Sequence, residues 1–196
     1  MLIKTFGSKK IKIRTISKND LNKVKNFQDF INSLVKEKAM IKVNKKISRK
    51  EEIEWLKAKL KAQKEKKEVI LVAEEKDRIV GVAHIKLDWG RESHIGHFSI
   101  SIRKGYRKIG LGTYLGKEII KLAKKRLKPK LKIIRLNVYE LNKPAISLYK
   151  KLGFEKVAKI PKQVQCQGNL IAEIIMLKDI KKKKLKNYDF NFNSDC

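Results

Sequence analysis

Residues 97–126 read HFSISIRKGYRKIGLGTYLGKEIIKLAKKR, and this stretch decides the fold. Its first six residues alternate along the chain as those of a half-buried β-strand do, and its last thirteen, YLGKEIIKLAKKR, carry apolar residues at helical spacing. Between them, Arg107, Gly110 and Gly112 give the spacing R-x-x-G-x-G. The first N–H groups of a helix lack partners and the helix dipole is positive there, so this turn is suited to bind phosphate. A tight glycine turn that binds nothing is the alternative.

The composition indicates one globular domain. The chain has 196 residues, of which 42% are hydrophobic, and contains no apolar run of the length that a membrane span needs. Because its start also lacks the apolar core of a signal peptide, we expect a soluble, cytoplasmic protein without a membrane partner. We expect residues 1–180 to form the domain and residues 181–196 a basic and polar mobile tail. Cys166 and Cys196 have no metal-ligand spacing and are expected to be free thiols.

The charge is strongly positive. There are 50 Lys and Arg residues against 20 Asp and Glu, which gives a formal net charge of +30. The positive residues are spread along every segment and are nearly all lysine. Two interpretations stay open: a solvated surface with biased lysine usage, or a polyanionic partner such as RNA, the ribosome or an acidic protein.

The first half of the chain predicts strands and helices in alternation. Residues 10–17 (KIKIRTIS) alternate apolar and basic side chains, which predicts the first strand. Ser17 and Ser48 each stand three residues before an acid, and this capping-box spacing predicts that a helix follows each serine. Residues 68–87 are apolar and β-branched on both sides of the turn EEKDR, which predicts a hairpin.

The second half completes the sheet. Residues 88–96 predict a polar loop and residues 131–140 a buried strand. Two last strands are expected at residues 155–160 and 171–177, joined by a loop at 161–169. An early hairpin with a late strand–helix–strand crossover predicts an α/β (α+β) fold, in which a mixed, mostly antiparallel sheet has helices on both faces.

A second motif follows the glycine turn after one intervening strand. Residues 142–154 read NKPAISLYKKLGF, with Asn142 as helix cap, Pro144 in the first turn and Gly153 as the C-terminal stop. In this order, the hairpin, the glycine turn, this N-x-x-A-x-x-x-Y-x-x-x-G-F run and the last two strands resemble the GCN5-related N-acetyltransferase (GNAT) superfamily. The resemblance covers roughly residues 10–178, and it implies a splayed central strand pair and acetyl transfer from acetyl-CoA to an amine.

The resemblance also implies a set of functional residues. It makes Tyr149 the acid that protonates the CoA sulfur, whereas its place on an apolar helix stripe is equally consistent with a core tyrosine. His97 stands where many relatives have an acidic base; Glu140 and His94 are weaker candidates, and a structural histidine remains the alternative. The residues expected to bind acetyl-CoA are Ile100, Ser101, Ile102, Arg107, Lys108, Ile109, Gly110, Leu111, Gly112, Thr113, Asn142 and Tyr149, with Arg103 as further cationic support.

The reaction expected from this resemblance is direct attack of a primary amine on acetyl-CoA, without a metal. The acceptor is a protein N-terminus, a lysine or a small amine, and residues 36–50 and 161–169 are expected to shape its site. Transfer of a longer acyl chain, a homodimer and association with the ribosome or another polyanion stay open. The competing function is an RNA- or ribosome-associated binding protein on an acetyltransferase fold, with CoA binding lost or regulatory.

Overall fold

The computed structural model describes residues 2–181 and shows one eight-stranded sheet flanked by helices. The strands are β1 (Leu2–Phe6), β2 (Lys9–Thr15), β3 (Glu68–Glu75), β4 (Arg78–Leu87), β5 (Ile95–Ile102), β6 (Ile133–Tyr139), β7 (Glu155–Cys166) and β8 (Asn169–Asp179). The helices are α1 (Val24–Lys36), α2 (Arg49–Lys64), α3 (Leu111–Arg126) and α4 (Lys143–Lys151). The predicted tail from residue 182 onward, with Cys196, lies outside the described residues. None of the helices within residues 2–181 is long and apolar enough to cross a membrane.

The strand order is β1-β2-β3-β4-β5-β6-β8-β7, and every neighbouring pair except β5–β6 is antiparallel. The predicted fold class is confirmed. The β3–β4 hairpin closes through Lys76 and Asp77, whose φ angles of 47° and 62° match the primed turn that suits the twist of two-residue hairpins.

Both predicted capping boxes are present. The Ser48 N–H donates to the Glu51 carboxylate at 2.8 Å, and the Glu51 N–H donates to Ser48 Oγ at 3.2 Å. The Ser17 N–H donates to Asp20 Oδ2 at 2.7 Å, but a 3₁₀ segment follows, and α1 begins only at Val24. Asp20 is buried because its carboxylate also accepts from Arg14 of β2, at 2.7 and 2.8 Å, which ties this segment to the sheet.

Two expectations about strands are wrong. Residues 2–6 already form an edge strand, so the predicted first strand is the second; the exposure of Leu2 and Ile3 removes the usual alternation of burial. The predicted loop at 161–169 is mostly strand, because β7 runs to Cys166 and only a two-residue turn precedes β8. Pro161 is tolerated there because β7 is an edge strand, where one missing N–H breaks no ladder on the open side.

The sheet carries a separate apolar core on each face. Helices α3 and α4 pack on one face, where Leu115, Ile119 and Phe154 are buried. Helices α1 and α2 pack on the other face, against residues of β3 and β4 such as Ile70 and Val82. Within residues 2–181, the core of this second face contains no residue of β5, β6 or β8.

The parallel pair at the centre of the sheet is short. Strands β5 and β6 pair only at Ile95–Ile133, Gly96–Ile134 and His97–Arg135. Beyond His97, β5 continues beside β4 and β6 continues beside β8, so the two halves of the sheet diverge. This V-shaped gap, called here the central opening, confirms the expected splayed strand pair.

Candidate functional site

The central opening exposes the main chain of β5. The Arg103 N–H donates to the Val80 carbonyl at 2.9 Å, whereas the His94 carbonyl accepts from the Lys132 N–H at 2.9 Å. Main-chain groups alternate in direction along a strand, so those of Phe98, Ile100 and Ile102 point toward the opening. These groups suit an extended ligand rich in amides, which pairs with a strand edge by main-chain hydrogen bonds.

The glycine turn closes one end of the opening. Gly105, Lys108 and Gly110 have φ angles of 86°, 63° and 86°, and Gly110 is the N-cap of α3. Left-handed residues interspersed in a turn direct successive N–H groups into one concavity, which binds anions. A Cβ on Gly110 would meet nothing within 4 Å, so backbone conformation rather than space favours glycine there. The turn therefore fits a phosphate group.

The three predicted cations near the turn are placed differently. Arg107 Nε donates to the Ile102 carbonyl at 2.8 Å, and its guanidinium forms an ion pair with Glu37 at the end of α1. Arg103 is buried against α1, where its Nε donates to the Ile79 carbonyl at 3.2 Å and burial lowers its pKa. Arg103 therefore faces the helix rather than the turn. Lys108 is exposed, so the turn presents this cation to solvent.

Tyr149 lies on α4 beside β5. Its side chain is 7% exposed, and its ring meets Phe98 edge-on with 5.9 Å between centroids. Burial raises the pKa of Tyr149 to about 12, so the phenol keeps its proton at neutral pH. At the start of the same helix, Asn142 Oδ1 accepts the Ala145 N–H at 3.3 Å. Tyr149 is thus a core residue and also a protonated phenol next to the strand that lines the opening.

His97 stands where the opening begins. It is the last residue of β5 that pairs with β6, and its side chain is 45% exposed. Its Nε2 lies 2.8 Å from Asp88 Oδ2, and this hydrogen bond is the main cause of a lowered Asp88 pKa. When Nε2 donates to Asp88, Nδ1 is left as the nitrogen that accepts a proton. Sequence reasoning missed Asp88, although an acid directly after a strand was visible.

Further polar residues share the face of His97. Because His97 pairs with Arg135, the alternating residues Asn137 and Tyr139 of β6 lie on the same side of the sheet. Tyr139 pairs with Glu173 of β8, and Asn137 Nδ2 donates to Glu173 Oε2 at 2.7 Å. Only Glu173 stands out in the sequence, as an isolated acid in the apolar strand IAEIIML, so none of these residues was predicted to belong to the site.

The comparison with protein families decides the assignment. Residues 33–154 match the model of the acetyltransferase (GNAT) family. The chain belongs to the GNAT family. This agrees with a turn that fits phosphate, the open edge of β5 and a protonated tyrosine on the adjacent helix α4.

Individual relatives of this GNAT chain cover only part of it. An N-alpha-acetyltransferase of Sulfurisphaera tokodaii is 32% identical over 48% of this chain and 60% of that protein. One from Sulfolobus acidocaldarius is 33% identical over 54% of this chain and 66% of that protein. The chain thus spans less than two thirds of the length of these relatives.

A solved structure shows the same fold. The yncA protein of Salmonella typhimurium, solved with acetyl-CoA, has a TM-score of 0.73 and 20% identity, and the match covers 88% of this chain and 95% of that one.

Glu140, one of the two weaker base candidates of this GNAT chain, is engaged elsewhere. Glu140 Oε1 accepts the Ala172 N–H at 2.8 Å and Oε2 pairs with Lys159 at 2.7 Å. These contacts lower the pKa of Glu140, which makes it a poorer proton acceptor. The carbonyl of His94 accepts from Lys132, which anchors its loop to the start of β6.

Proposed function

We propose that this chain transfers the acetyl group of acetyl-CoA to the α-amino group of a protein N-terminus. The central opening carries this proposal. It ends at an anion-binding turn and begins at the Asp88–His97 pair, and the free edge of β5 joins the two. A donor with phosphates, an amide-rich arm and a thioester matches those three parts in the same order.

The expected binding residues would contact different parts of acetyl-CoA. The N–H groups of residues 108–113 would hold the pyrophosphate, with Lys108 as an accessible cation. The main chain of Ile100 and Ile102 would pair with the pantetheine amides. Arg107 would act by fixing the turn to Ile102 and α1, since its guanidinium already pairs with Glu37.

Direct attack accounts for every proton. The neutral amine nitrogen forms a bond to the thioester carbon, and the carbon–sulfur bond then breaks. Tyr149 would give its proton to the departing thiolate, since its raised pKa keeps the phenol protonated. His97 would accept the proton of the amine, directly or through water, and the Asp88 carboxylate would stabilise the imidazolium that forms.

The N-terminal acceptor is supported by the polar face beyond α1 and α2. A protein N-terminus presents its amine beside main-chain amides, so its site needs both hydrogen-bond donors and acceptors. Asn137, Tyr139 and the buried Glu173 offer both on the face that carries His97. The two curated relatives are N-alpha-acetyltransferases, which agrees with this acceptor class.

A panel of amines tests the acceptor. The panel contains a peptide with a free N-terminus and no lysine, the same peptide N-terminally blocked with one internal lysine, and spermidine. We expect release of CoA thiol and a mass increase only with the first peptide. Preferred modification of the lysine peptide or of spermidine would overturn the acceptor assignment, and no turnover with any amine would overturn the activity.

The Tyr149→Phe variant tests the proton donor. General acid catalysis contributes about 10²–10⁴-fold, so kcat should fall by at least about 10²-fold. The KM for acetyl-CoA should change little, because the ring and its contact with Phe98 are kept. An unchanged kcat would make Tyr149 a core residue only.

Labelled acetyl groups that stayed on the protein after CoA left would exclude direct attack.

A further inference from the structure

One end of the molecule gathers exposed lysines from four segments. This surface, called here the basic pole, consists of residues 64–67, 88–94, 124–132 and 178–181. Main-chain hydrogen bonds join its segments. The Lys128 N–H donates to the Lys66 carbonyl at 3.0 Å, and the Lys132 N–H donates to the His94 carbonyl at 2.9 Å. The Ile180 N–H donates to the Lys132 carbonyl at 2.9 Å. The basic pole is therefore an ordered surface rather than a loose run of charge.

The charge of the basic pole is largely unopposed. Residues 124–132 read KKRLKPKLK. The exposed cations of the pole are Lys64, Lys66, Lys67, Arg91, Lys124, Lys125, Arg126, Lys128, Lys130, Lys132 and Lys181. The acids of the same four segments are Glu65, Asp88, Glu92 and Asp179. The exposed cations therefore outnumber these acids by eleven to four. Crowded like charges repel one another, so such a surface favours a polyanion.

An exposed aromatic ring stands within this charge. Trp89 is 85% exposed and is the one large exposed hydrophobic residue that the pole has among the described residues. Its backbone is anchored, since the Trp89 N–H donates to Asp88 Oδ1 at 3.0 Å and its carbonyl accepts the Glu92 N–H at 3.2 Å. An indole held in solvent beside lysines offers a flat face on which an unstacked base can lie.

We propose that the basic pole binds single-stranded nucleic acid, with phosphates on its lysines and a base stacked on Trp89. The bases of a duplex are stacked on one another, so a duplex would contact the lysines through its phosphates without stacking on the indole. A membrane surface would need more apolar area than one tryptophan provides. An acidic polypeptide would find cations but no stacking partner for Trp89.

The lysines at the end of α3 are separate from the glycine turn. Helix α3 has 16 residues, so its two ends lie about 24 Å apart. The glycine turn caps its N-terminus, and Lys124, Lys125 and Arg126 end it at the pole. Nucleic acid on these lysines therefore does not occupy the turn that would hold the pyrophosphate.

Fluorescence anisotropy of the full chain with a labelled oligouridylate tests this site. The RNA has about 12 nucleotides, within the range that single-strand sites of this kind cover. The pole variant replaces Lys124, Lys125 and Lys130 with Gln. A matched control replaces three exposed lysines outside the pole, Lys50, Lys61 and Lys156, with Gln. A third variant, Trp89→Ala, removes the indole and keeps the charge.

The variants should separate charge from stacking. Each lost phosphate contact to a single strand lowers the salt slope by about 0.7, so the pole variant should lose about 2 from the slope of log K against log salt. The control variant should keep the wild-type slope. Trp89→Ala should weaken RNA binding about 10-fold with the slope unchanged. Saturating acetyl-CoA should leave the RNA affinity as it was, and the pole variant should acetylate a short peptide at the wild-type rate.

Several results would overturn the proposal. The first is a wild-type chain that binds no RNA at about 50 mM salt. The second is a control variant whose salt slope falls as much as that of the pole variant. The third is a Trp89→Ala variant that binds RNA as tightly as the wild type. Tighter binding of poly-glutamate or of phosphatidylserine vesicles than of RNA would assign the pole to another partner. Single-stranded DNA that binds as tightly as RNA would support a site for either strand, whereas weaker binding would support contact with the 2′-hydroxyl.

Discussion

His97 is held by a carboxylate that lies nine residues away in sequence, directly after the neighbouring strand β4. The 2.8 Å contact from Asp88 to Nε2 orients the ring, and the lowered pKa of Asp88 keeps its carboxylate charged at neutral pH. A histidine oriented in this way is suited to take a proton through its other nitrogen. The same contact would also stabilise a purely structural histidine, so kinetics must separate the two roles.

We predict that Asp88→Asn lowers kcat about 10-fold or more and moves the acidic limb of the pH–rate profile to lower pH, because the imidazolium loses its charged partner. His97→Ala should lower kcat at least as much and abolish that limb. The double variant should be no slower than His97→Ala, since both changes remove one unit. A His97→Ala profile identical to that of the wild type would leave the pair a structural role.

Adjacent glutamates on α2 have opposite environments. Glu51 closes the capping box with Ser48, and those hydrogen bonds lower its pKa. Glu52 is 6% exposed, and burial raises its pKa to about 7. An unfolded glutamate ionises near its ordinary pKa of 4.5, so between this value and about 7 the unfolded state binds fewer protons. Glu52 therefore destabilises the fold increasingly as pH rises through this window.

We predict that Glu52→Gln raises the free energy of unfolding at pH 8 by about 1–3 kcal/mol, because the neutral amide avoids the penalty for a buried charge. The gain should vanish near pH 4.5, where the wild-type side chain is protonated. Glu51→Gln is the matched control and should lose stability at pH 8. Urea melts at both pH values measure this. A gain of equal size at both pH values would show that ionisation is not its cause.

Helices α3 and α4 approach each other across a glycine. A Cβ on Gly116 would lie 2.4 Å from Leu152 Cδ1, and Leu152 is buried. This contact sets the distance between the helix that begins at the glycine turn and the helix that carries Tyr149. The donor turn and the proposed acid thus depend on one close approach.

We predict that Gly116→Ala destabilises the fold by about 1–3 kcal/mol, since the added methyl group overpacks the core. Leu152→Val should recover part of the loss when combined with Gly116→Ala, because it shortens the side chain that the methyl group meets. A double-mutant cycle by thermal unfolding measures this coupling. Strictly additive changes in the free energy of unfolding would mean that the side chains at positions 116 and 152 do not interact.

The whole molecule should respond to its donor. Acetyl-CoA at about 100 times its Kd adds about 2.7 kcal/mol to the free energy of unfolding, which raises Tm by about 5–10 °C for a chain of this size. We predict that Gly110→Val reduces this shift, because valine resists the φ of 86° that shapes the turn. Gly168→Val is the matched control, with a φ of 82° in the β7–β8 turn. It should lower Tm by a similar amount and keep the shift.

A binding protein that has lost CoA would show no shift in the wild type. Equal loss of the shift in both glycine variants would mean that general strain, not the shape of the donor turn, is responsible.

Local chemistry is what the sequence by itself determined. The capping boxes, the turn of the β3–β4 hairpin and the R-x-x-G-x-G spacing act over a few residues, so their positions could be predicted. The family followed from the order of two motifs separated by one strand. Tyr149, a candidate from the second motif, stays a prediction for catalysis, although its burial and raised pKa agree with the proposed role.

Contacts between distant segments were decided only by the tertiary structure. The edge strands β1 and β7 carry too little burial to leave an alternating pattern, and the Asp88–His97 and Asn137–Glu173 contacts depend on strand register. The divergence of β5 from β6 depends on which strands each of them pairs with, as does the gathering of lysines at the basic pole. A periodic pattern in the sequence indicates which face of the sheet a residue lies on. Its neighbours on adjacent strands depend on the order and register of the strands, which no local pattern determines.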